Sequence, residues 1–308
     1  MSVIFYSEGD DPKPWRKAFA AALPTMPFHI WPDVAEFEAV RYALVWNPPP
    51  GLLGTFPNLT AVLALGAGVD NLLADPTTPD VPIIRLLGAG LAPQMAEYAL
   101  CAVLHFHRAM PDYHAQQAKS VWRPLAPVLS SQWTVGVMGT GVIGGLIATN
   151  LVTLGYKVRG WSRSGTRIDG VESFAGDAQL ASFLSGSRVV INALPLTDKT
   201  AGILGARNFM SMPGGSYVVN IGRGGHLIED DLLAALDSGH IAGAMLDVFN
   251  EEPLPATHPF WSHPRVVVTP HIAGVTVASE AEAQVIENVK RMERGESPVG
   301  VVDRERGY

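Results

Sequence analysis

Val135-Gly136-Val137-Met138-Gly139-Thr140-Gly141-Val142-Ile143-Gly144 joins an apolar run to a glycine-rich turn, and the turn opens an amphipathic segment that reaches Leu154. Strand, turn and helix in that order are the setting in which a GxGxxG pattern binds a dinucleotide. Gly139 permits the tight turn, Gly141 lets backbone approach a pyrophosphate closely, and Gly144 lets the helix pack against the strand. Backbone N–H groups along the turn, with Thr140, Val142 and Ile143 among its residues, would hold the anion without positively charged side chains. That suits a chain of 308 residues with formal net charge −7, which has no global basic field for a nucleic acid or an anionic membrane.

Around this segment, short apolar runs alternate with amphipathic stretches, the pattern of parallel sheets with crossover helices. Before it, strands are expected over 3–6, 28–31, 42–46, 61–64 and 83–85, with a helix over 14–22; a long helix over 93–108 leads out of this region. After it, strands are expected over 134–138, 157–161, 188–192, 217–220, 243–247 and 266–269, six in all, followed by a helix over 279–294. The expected fold is α/β: a Rossmann-type dinucleotide-binding domain over 93–279, plus a smaller, discontinuous, flavodoxin-like doubly wound substrate domain made of 1–92 and 280–308. The polar tail should return to the smaller domain.

Hydrophobic residues make up 47% of the chain and charged residues 17%, and the 31 Gly and 24 Pro are dispersed, so the composition is globular. Cys101 is the sole cysteine, which excludes an intrachain disulfide and a multi-cysteine zinc site; its apolar neighbours suggest a small buried hydrophobe. No metal site is expected, since the His105 and His107 spacing does not suit one helical face. Without a basic-apolar leader or a long apolar run, the expected location is the cytoplasm, with neither membrane nor nucleic acid as partner.

An NAD-specific site normally places a carboxylate about twenty residues beyond the glycines, at the end of the next strand. Here the stretch reads Gly160-Trp161-Ser162-Arg163-Ser164. Ser162 stands where the acid would be, and Arg163 offers a planar donor for a 2′-phosphate, which favours NADP(H) over NAD(H). The alternative for Arg163 is a solvated loop arginine with loose selectivity. Leu194 and Pro195, just after the strand over 188–192, complete the expected cofactor contacts.

Three further segments follow strands of the same domain: Asn220-Ile221-Gly222-Arg223-Gly224-Gly225, Asp247-Val248-Phe249-Asn250-Glu251-Glu252-Pro253-Leu254 and Thr269-Pro270-His271-Ile272-Ala273-Gly274. The carboxyl ends of parallel strands share one edge, so Arg223, Glu252 and His271 should meet there. Arginine can grip a carboxylate bidentately and polarise an adjacent carbonyl. Histidine can deliver a proton near neutral pH, and a glutamate beside it fixes the tautomer and favours the proton-donating form. Hydride addition to a 2-oxo acid needs these parts.

Taken together, GTGVIG, NIGRGG, LDVFNEEPLP and TPHIAG resemble the D-isomer-specific 2-hydroxyacid dehydrogenase family over nearly the whole chain. GWSRS, LALGAGVDNLL and the ending VDRERGY are most similar to its short glyoxylate/hydroxypyruvate reductase type. The resemblance implies that Arg223 binds the substrate carboxylate, that Glu252 and His271 form the acid/base pair, and that Asp247 approaches the nicotinamide carboxamide. It also implies substrate contacts from backbone at Ala67, Gly68 and Val69, a pocket lined by Trp46, a Trp122 inserted from a partner subunit, and a homodimer. Ordinary aromatic packing is the other reading of both tryptophans. The expected activity is NADPH-dependent reduction of glyoxylate to glycolate and of hydroxypyruvate to D-glycerate, with NADH as a lesser donor. The alternatives are a D-2-hydroxyacid dehydrogenase of broader substrate range and a dinucleotide-sensing regulatory protein. In the departure from the family's usual hinge wording, residues 88–94 read Gly-Ala-Gly-Leu-Ala-Pro-Gln.

Overall fold

The computed structural model of the chain describes residues 1–88 and 90–307; Ala89 of the hinge segment and Tyr308 of the ending lie outside the described residues. In chain order the first elements are β1 (Ser2–Ser7), α1 (Pro12–Ala22), β2 (Phe28–Ile30), β3 (Val40–Trp46), β4 (Ala61–Ala64), α2 (Asp70–Ala74) and β5 (Ile83–Ile84). Next come α3 (Leu91–His107), α4 (Met110–Ala118), β6 (Thr134–Met138), α5 (Val142–Thr153), β7 (Lys157–Ser162), β8 (Val171–Ala175), α6 (Gly176–Ser185) and β9 (Val189–Asn192). The remainder are α7 (Ala206–Met210), β10 (Ser216–Asn220), α8 (Glu229–Asp237), β11 (Ile241–Leu246), β12 (Val266–Val268) and α9 (Ala278–Glu293). The chain divides into two compact units, Met1–Leu91 with Thr276–Tyr308, and Ala92–Val275.

The first unit is built on a parallel five-stranded sheet in the order β2-β1-β3-β4-β5, the flavodoxin-like order. Alternate residues of each strand feed opposite faces, as a pleat of period two requires. Val3, Phe5, Tyr42, Leu44, Ala61 and Leu63 pack on one side with Trp15 and Phe19 of α1 and with Ala281, Val285 and Val289 of α9. Ile4, Ala43, Val45, Val62 and Ala64 pack on the other, against Leu53, Phe56 and Val302. The tail is tied in by backbone: Val302 N donates to Ile83 O at 2.8 Å and Arg85 N to Gly300 O at 2.9 Å.

The second unit carries a parallel seven-stranded sheet in the order β12-β11-β10-β9-β6-β7-β8. Strand order reverses between β6 and β9, and in such sheets the crevice at that reversal is where ligands bind. The sequence predicts six strands here, and β8 is the addition. It pairs only with β7, and its Glu172 and Ser173 are exposed, so it lacks the apolar run by which buried parallel strands are recognised. Arg159 is committed to this edge: it pairs with Glu172 at 2.9 Å and lies over the Phe174 ring.

One packing expectation fails. Cys101 is exposed, because the buried stripe of α3 is Ala96, Ala99, Ala102, Val103 and Phe106, and Cys101 falls to its side. His107 bridges Tyr156 OH (2.6 Å) and Val128 O (2.8 Å).

Candidate active site

The turn between β6 and α5 shows why its glycines are needed. Gly139 has φ +91°, and a Cβ there would sit 2.8 Å from Ala193 O, on the chain leaving β9. A Cβ at Gly144 would run into the Gly139 carbonyl. Gly141 differs, since a Cβ there meets nothing within 4 Å and the space beside it is open. The first turn of α5 has neither a side-chain cap nor an acidic residue, so its N–H groups are left for an anion. Thr140 is buried and its Oγ1 has no hydrogen-bond partner among the described residues. Open space at Gly141, uncapped N–H groups and an orphaned hydroxyl together fit a dinucleotide.

At the end of β7, Ser162 Oγ accepts the N–H groups of Gly165 (3.1 Å) and Thr166 (3.2 Å), which curls the loop back over the strand end. Arg163 and Ser164 project from this loop and are exposed. Trp161 Nε1 donates to Gly176 O at 2.9 Å and fixes the strand end to the start of α6. No carboxylate occurs between Gly160 and Ile168.

β9 and β10 end in fully buried asparagines that bond to each other, Asn192 Nδ2 to Asn220 Oδ1 at 2.9 Å. Asn192 Oδ1 accepts from Leu194 N, and Asn220 serves the neighbouring turn, accepting from Gly222 N (3.2 Å) and donating to Arg223 O (3.0 Å). Arg223 Nη1 donates to Gly222 O at 2.9 Å. Gly224 is required next, because a Cβ would collide with the Phe249 carbonyl, the backbone that leads to Glu252.

Asp247, the first residue after β11, is buried and is spent on the loop carrying His271. Its Oδ1 accepts from Thr269 Oγ1 (2.6 Å) and Ile272 N (2.8 Å), and its Oδ2 from Ala273 N (2.8 Å). Since a carboxylate only accepts, Thr269 Oγ1 gives its proton to Asp247 and receives that of Tyr98 OH, 2.6 Å away. His271 N donates to Asp247 O at 2.9 Å, and His271 is held at φ +54°, a left-handed conformation uncommon for a residue with a side chain.

Glu252 Oε2 lies 2.7 Å from His271 Nδ1, and Glu252 Oε1 accepts from Phe249 N at 2.9 Å. Burial pushes the Glu252 carboxyl up. The hydrogen bonds from His271 and Phe249 and the charges of His271 and Arg223 outweigh burial and hold it below the usual carboxylate range. Glu252 is therefore a carboxylate, His271 Nδ1 donates to it, and Nε2 faces away from the pair. Arg223, Glu252 and His271 thus stand at one edge of the second unit's sheet, with the Gly139–Gly144 turn at the same edge.

In the first unit, Ala67, Gly68 and Val69 form the turn between β4 and α2, and their N–H groups make no hydrogen bond among the described residues. The Trp46 ring covers Gly66, where a Cβ would strike it, and packs against the core. Trp122 belongs to the second unit and is fully exposed, so packing within its own chain is not its role. Among the described residues, no group of His, Cys, Asp and Glu could hold a metal ion.

Residues 100–273 match the family described as D-isomer specific 2-hydroxyacid dehydrogenase, NAD binding domain. The chain belongs to the D-isomer specific 2-hydroxyacid dehydrogenase family. It is 45% identical, over the full length of both chains, to glyoxylate/hydroxypyruvate reductase A of Yersinia enterocolitica. A D-isomer specific 2-hydroxyacid dehydrogenase of Xanthobacter autotrophicus Py2, solved with NADPH and MES, superposes with a TM-score of 0.95 at 41% identity, covering 100% of this chain and 99% of that one. The NADPH-dependent glyoxylate/hydroxypyruvate reductase of Sinorhizobium meliloti, solved with NADP and sulfate, gives 0.93 at 37% identity and full coverage of both.

In this dehydrogenase several site-building residues escape a reading of the letters. Asn192 and Asn220 look like ordinary polar ends of strands, His226 looks like a loop polar, and Tyr98 looks like one more aromatic on an apolar helix. The available signal was a polar residue closing an otherwise apolar strand, which occurs at both Asn192 and Asn220.

Proposed function

We propose that this dehydrogenase reduces small 2-oxo acids with NADPH, taking glyoxylate to glycolate and hydroxypyruvate to D-glycerate. The carrying observation is the Glu252–His271 pair standing with Arg223 at the sheet edge of the dinucleotide turn. End-to-end similarity to glyoxylate/hydroxypyruvate reductase A narrows the substrate to two- and three-carbon acids.

The Gly139–Gly144 turn would hold the pyrophosphate, Ser162, Arg163 and Ser164 the adenosine 2′-phosphate, and Leu194, Pro195 and Asp247 the nicotinamide end. When bound, NADPH supplies the hydride that adds to the carbonyl carbon. Arg223 grips the substrate carboxylate through its guanidinium and stabilises charge as it grows on the carbonyl oxygen. His271 gives that oxygen a proton from Nε2 and keeps the proton on Nδ1, where Glu252 accepts it. The imidazolium that precedes transfer is stabilised by the same carboxylate, whose depressed titration keeps it charged through the neutral range. Hydride and proton together complete the hydroxy acid. Taken by itself, the first unit has N–H groups at Ala67, Gly68 and Val69 that suit an anion such as a carboxylate.

The proposal extends to a cytoplasmic homodimer. Exposed Val121 and Trp122 line a cavity of about 550 Å³ together with Tyr113, Gln116 and Pro124, Val128 and Leu129 further along the chain are exposed as well, and apolar surface of this kind suits a second copy. Among the described residues, no helix is long and apolar enough to cross a membrane.

A panel of 2-oxo acids of increasing length, each assayed against NADPH and NADH by cofactor absorbance, tests the reading. Glyoxylate and hydroxypyruvate should be the best substrates, with NADPH favoured. Activity that rises with side-chain length, or that is absent for every 2-oxo acid, would overturn it.

A further inference from the structure

A second histidine lies beside the arginine turn and takes no part in the chemistry above. His226 is fully buried, at the end of the single helical turn Gly224–His226. Its ring reaches two separate loops: Nδ1 is 3.0 Å from Arg223 N, and Nε2 is 3.2 Å from Pro195 O. The second loop is the one leaving β9, whose Leu194 and Pro195 are assigned above to the nicotinamide end of the cofactor.

The ring proton can be placed from its partners. Arg223 N–H must donate, so Nδ1 must accept, and Pro195 O must accept, so Nε2 must carry the hydrogen. The opposite tautomer would set an N–H against an N–H at one end and two lone pairs against each other at the other. Nor is Nδ1 needed by Arg223 O, 3.1 Å away, because that carbonyl already receives Asn220 Nδ2 at 3.0 Å and His226 N at 3.2 Å. The arrangement leaves no room for slippage. A Cβ on Gly222 would fall 2.9 Å from Asn192 Nδ2 and 3.1 Å from the His226 ring, so imidazole, glycine and asparagine are in close packing. Leu204 N donates to His226 O at 2.8 Å and anchors its backbone as well. A leucine would fill this place with no desolvation cost, whereas a buried imidazole is retained at the expense of desolvating two ring nitrogens.

We propose that His226 is a positioning residue: as the neutral Nε2–H tautomer it ties the Arg223 turn to the Pro195 loop, so the substrate-gripping and cofactor-contacting loops hold one relation. The proposal rests on the 2-oxo acid reductase reading for the meaning of its two ends. The link itself follows from the geometry of His226.

The two arms can be cut separately. In His226→Asn the amide oxygen takes the place of Nδ1 and still accepts Arg223 N–H, but the side chain no longer reaches Pro195 O, which keeps its bond from Thr200 Oγ1 at 2.8 Å. In His226→Gln the amide nitrogen takes the place of Nε2 and reaches Pro195 O, while the acceptor for Arg223 is lost. His226→Leu removes both arms. The Asn variant should keep its KM for glyoxylate within about threefold and bind NADPH about tenfold more weakly, the change expected for one buried hydrogen bond. The Gln variant should show the reverse, with KM raised about tenfold and the NADPH dissociation constant nearly unchanged, and the Leu variant should show both defects. Long-range proton–nitrogen correlation spectra of the wild-type protein at pH 7.5 should identify one histidine, absent from the Leu variant, as a neutral Nε2–H tautomer. Losses in KM and NADPH binding that move together in all three variants and follow the melting temperature would reduce His226 to packing. Wild-type kinetics in the Leu variant, or an Nδ1–H tautomer, would also overturn the proposal. Should the wild-type protein reduce no 2-oxo acid, the reductase reading falls by itself. The NADPH dissociation constants then decide the link, weaker in Asn but not in Gln if it exists, and equal in the two if it does not.

Discussion

At the scale of single residues, His271 trades backbone comfort for placement. Its φ of +54° costs a residue with a side chain about 1–2 kcal/mol, and the cost is met by Asp247, whose carboxylate and carbonyl together take four donors from the loop 269–273. Two substitutions separate conformation from chemistry. Both His271→Ala and His271→Gly should lower kcat by about 10²–10⁴ through loss of the proton donor, but the Gly protein should be the more stable by about 1 kcal/mol, because glycine accepts positive φ freely. Denaturant titrations of the two proteins give the difference, and equal stability would mean that the loop relaxes out of the left-handed region. Glu252 adds a pH dependence of definite sign. Its carboxyl titrates below its ordinary value of 4.5 in the folded protein, so its contribution to stability is complete above that pH and drains away as pH falls through the lowered value. The stability gap between wild type and Glu252→Gln should therefore narrow as pH falls below about 4.5. A gap that widens in acid would contradict the assignment of the depressed group to Glu252.

At the scale of elements, the turn into α5 separates glycines needed by the fold from one reserved for a ligand. Gly144→Ala drives a methyl into the Gly139 carbonyl and should destabilise the protein by several degrees of melting temperature. Gly141→Ala meets no protein atom within 4 Å and has an ordinary φ of −76°, so its melting temperature should stay near wild type while its NADPH dissociation constant rises about tenfold or more. Fluorescence titration with NADPH checks this, and unimpaired binding by Gly141→Ala would move the pyrophosphate elsewhere. The same contrast explains what could be read from the letters. Strands such as β6 and β9 are buried on both faces, so their apolar runs announce them, and the glycine turn announces itself by spacing. β8 escapes because it is an edge strand whose Glu172 and Ser173 face solvent. Arg223, Glu252 and His271 are legible because each follows a recognisable strand. Asn192, Asn220 and His226 are not, since their partners become neighbours only when β9 and β10 lie side by side, and one letter does not distinguish a buried amide from a solvated one.

At the scale of the whole molecule, apolar surface at residues 121–129 is the feature that a lone subunit leaves unexplained. Trp122 is completely exposed, and if it seats against a second copy, Trp122→Ala should weaken self-association by about 10²-fold or more, as large aromatic anchors at interfaces do. Sedimentation velocity over a concentration series would show it, and a wild-type protein that is monomeric throughout would remove the homodimer from the proposal. The first unit has a different consequence, one of timing. Its core needs Ala281, Val285 and Val289 from α9 and Val302 from the tail, although its sheet is encoded in the first ninety residues. On the ribosome, the nucleotide-binding half can therefore complete its sheet while the N-terminal strands still wait. The amino-terminal half closes only once α9 and Val302 have been made, so a stop codon ahead of α9 that spares every residue of the catalytic edge should still yield a protein with an unfinished first unit.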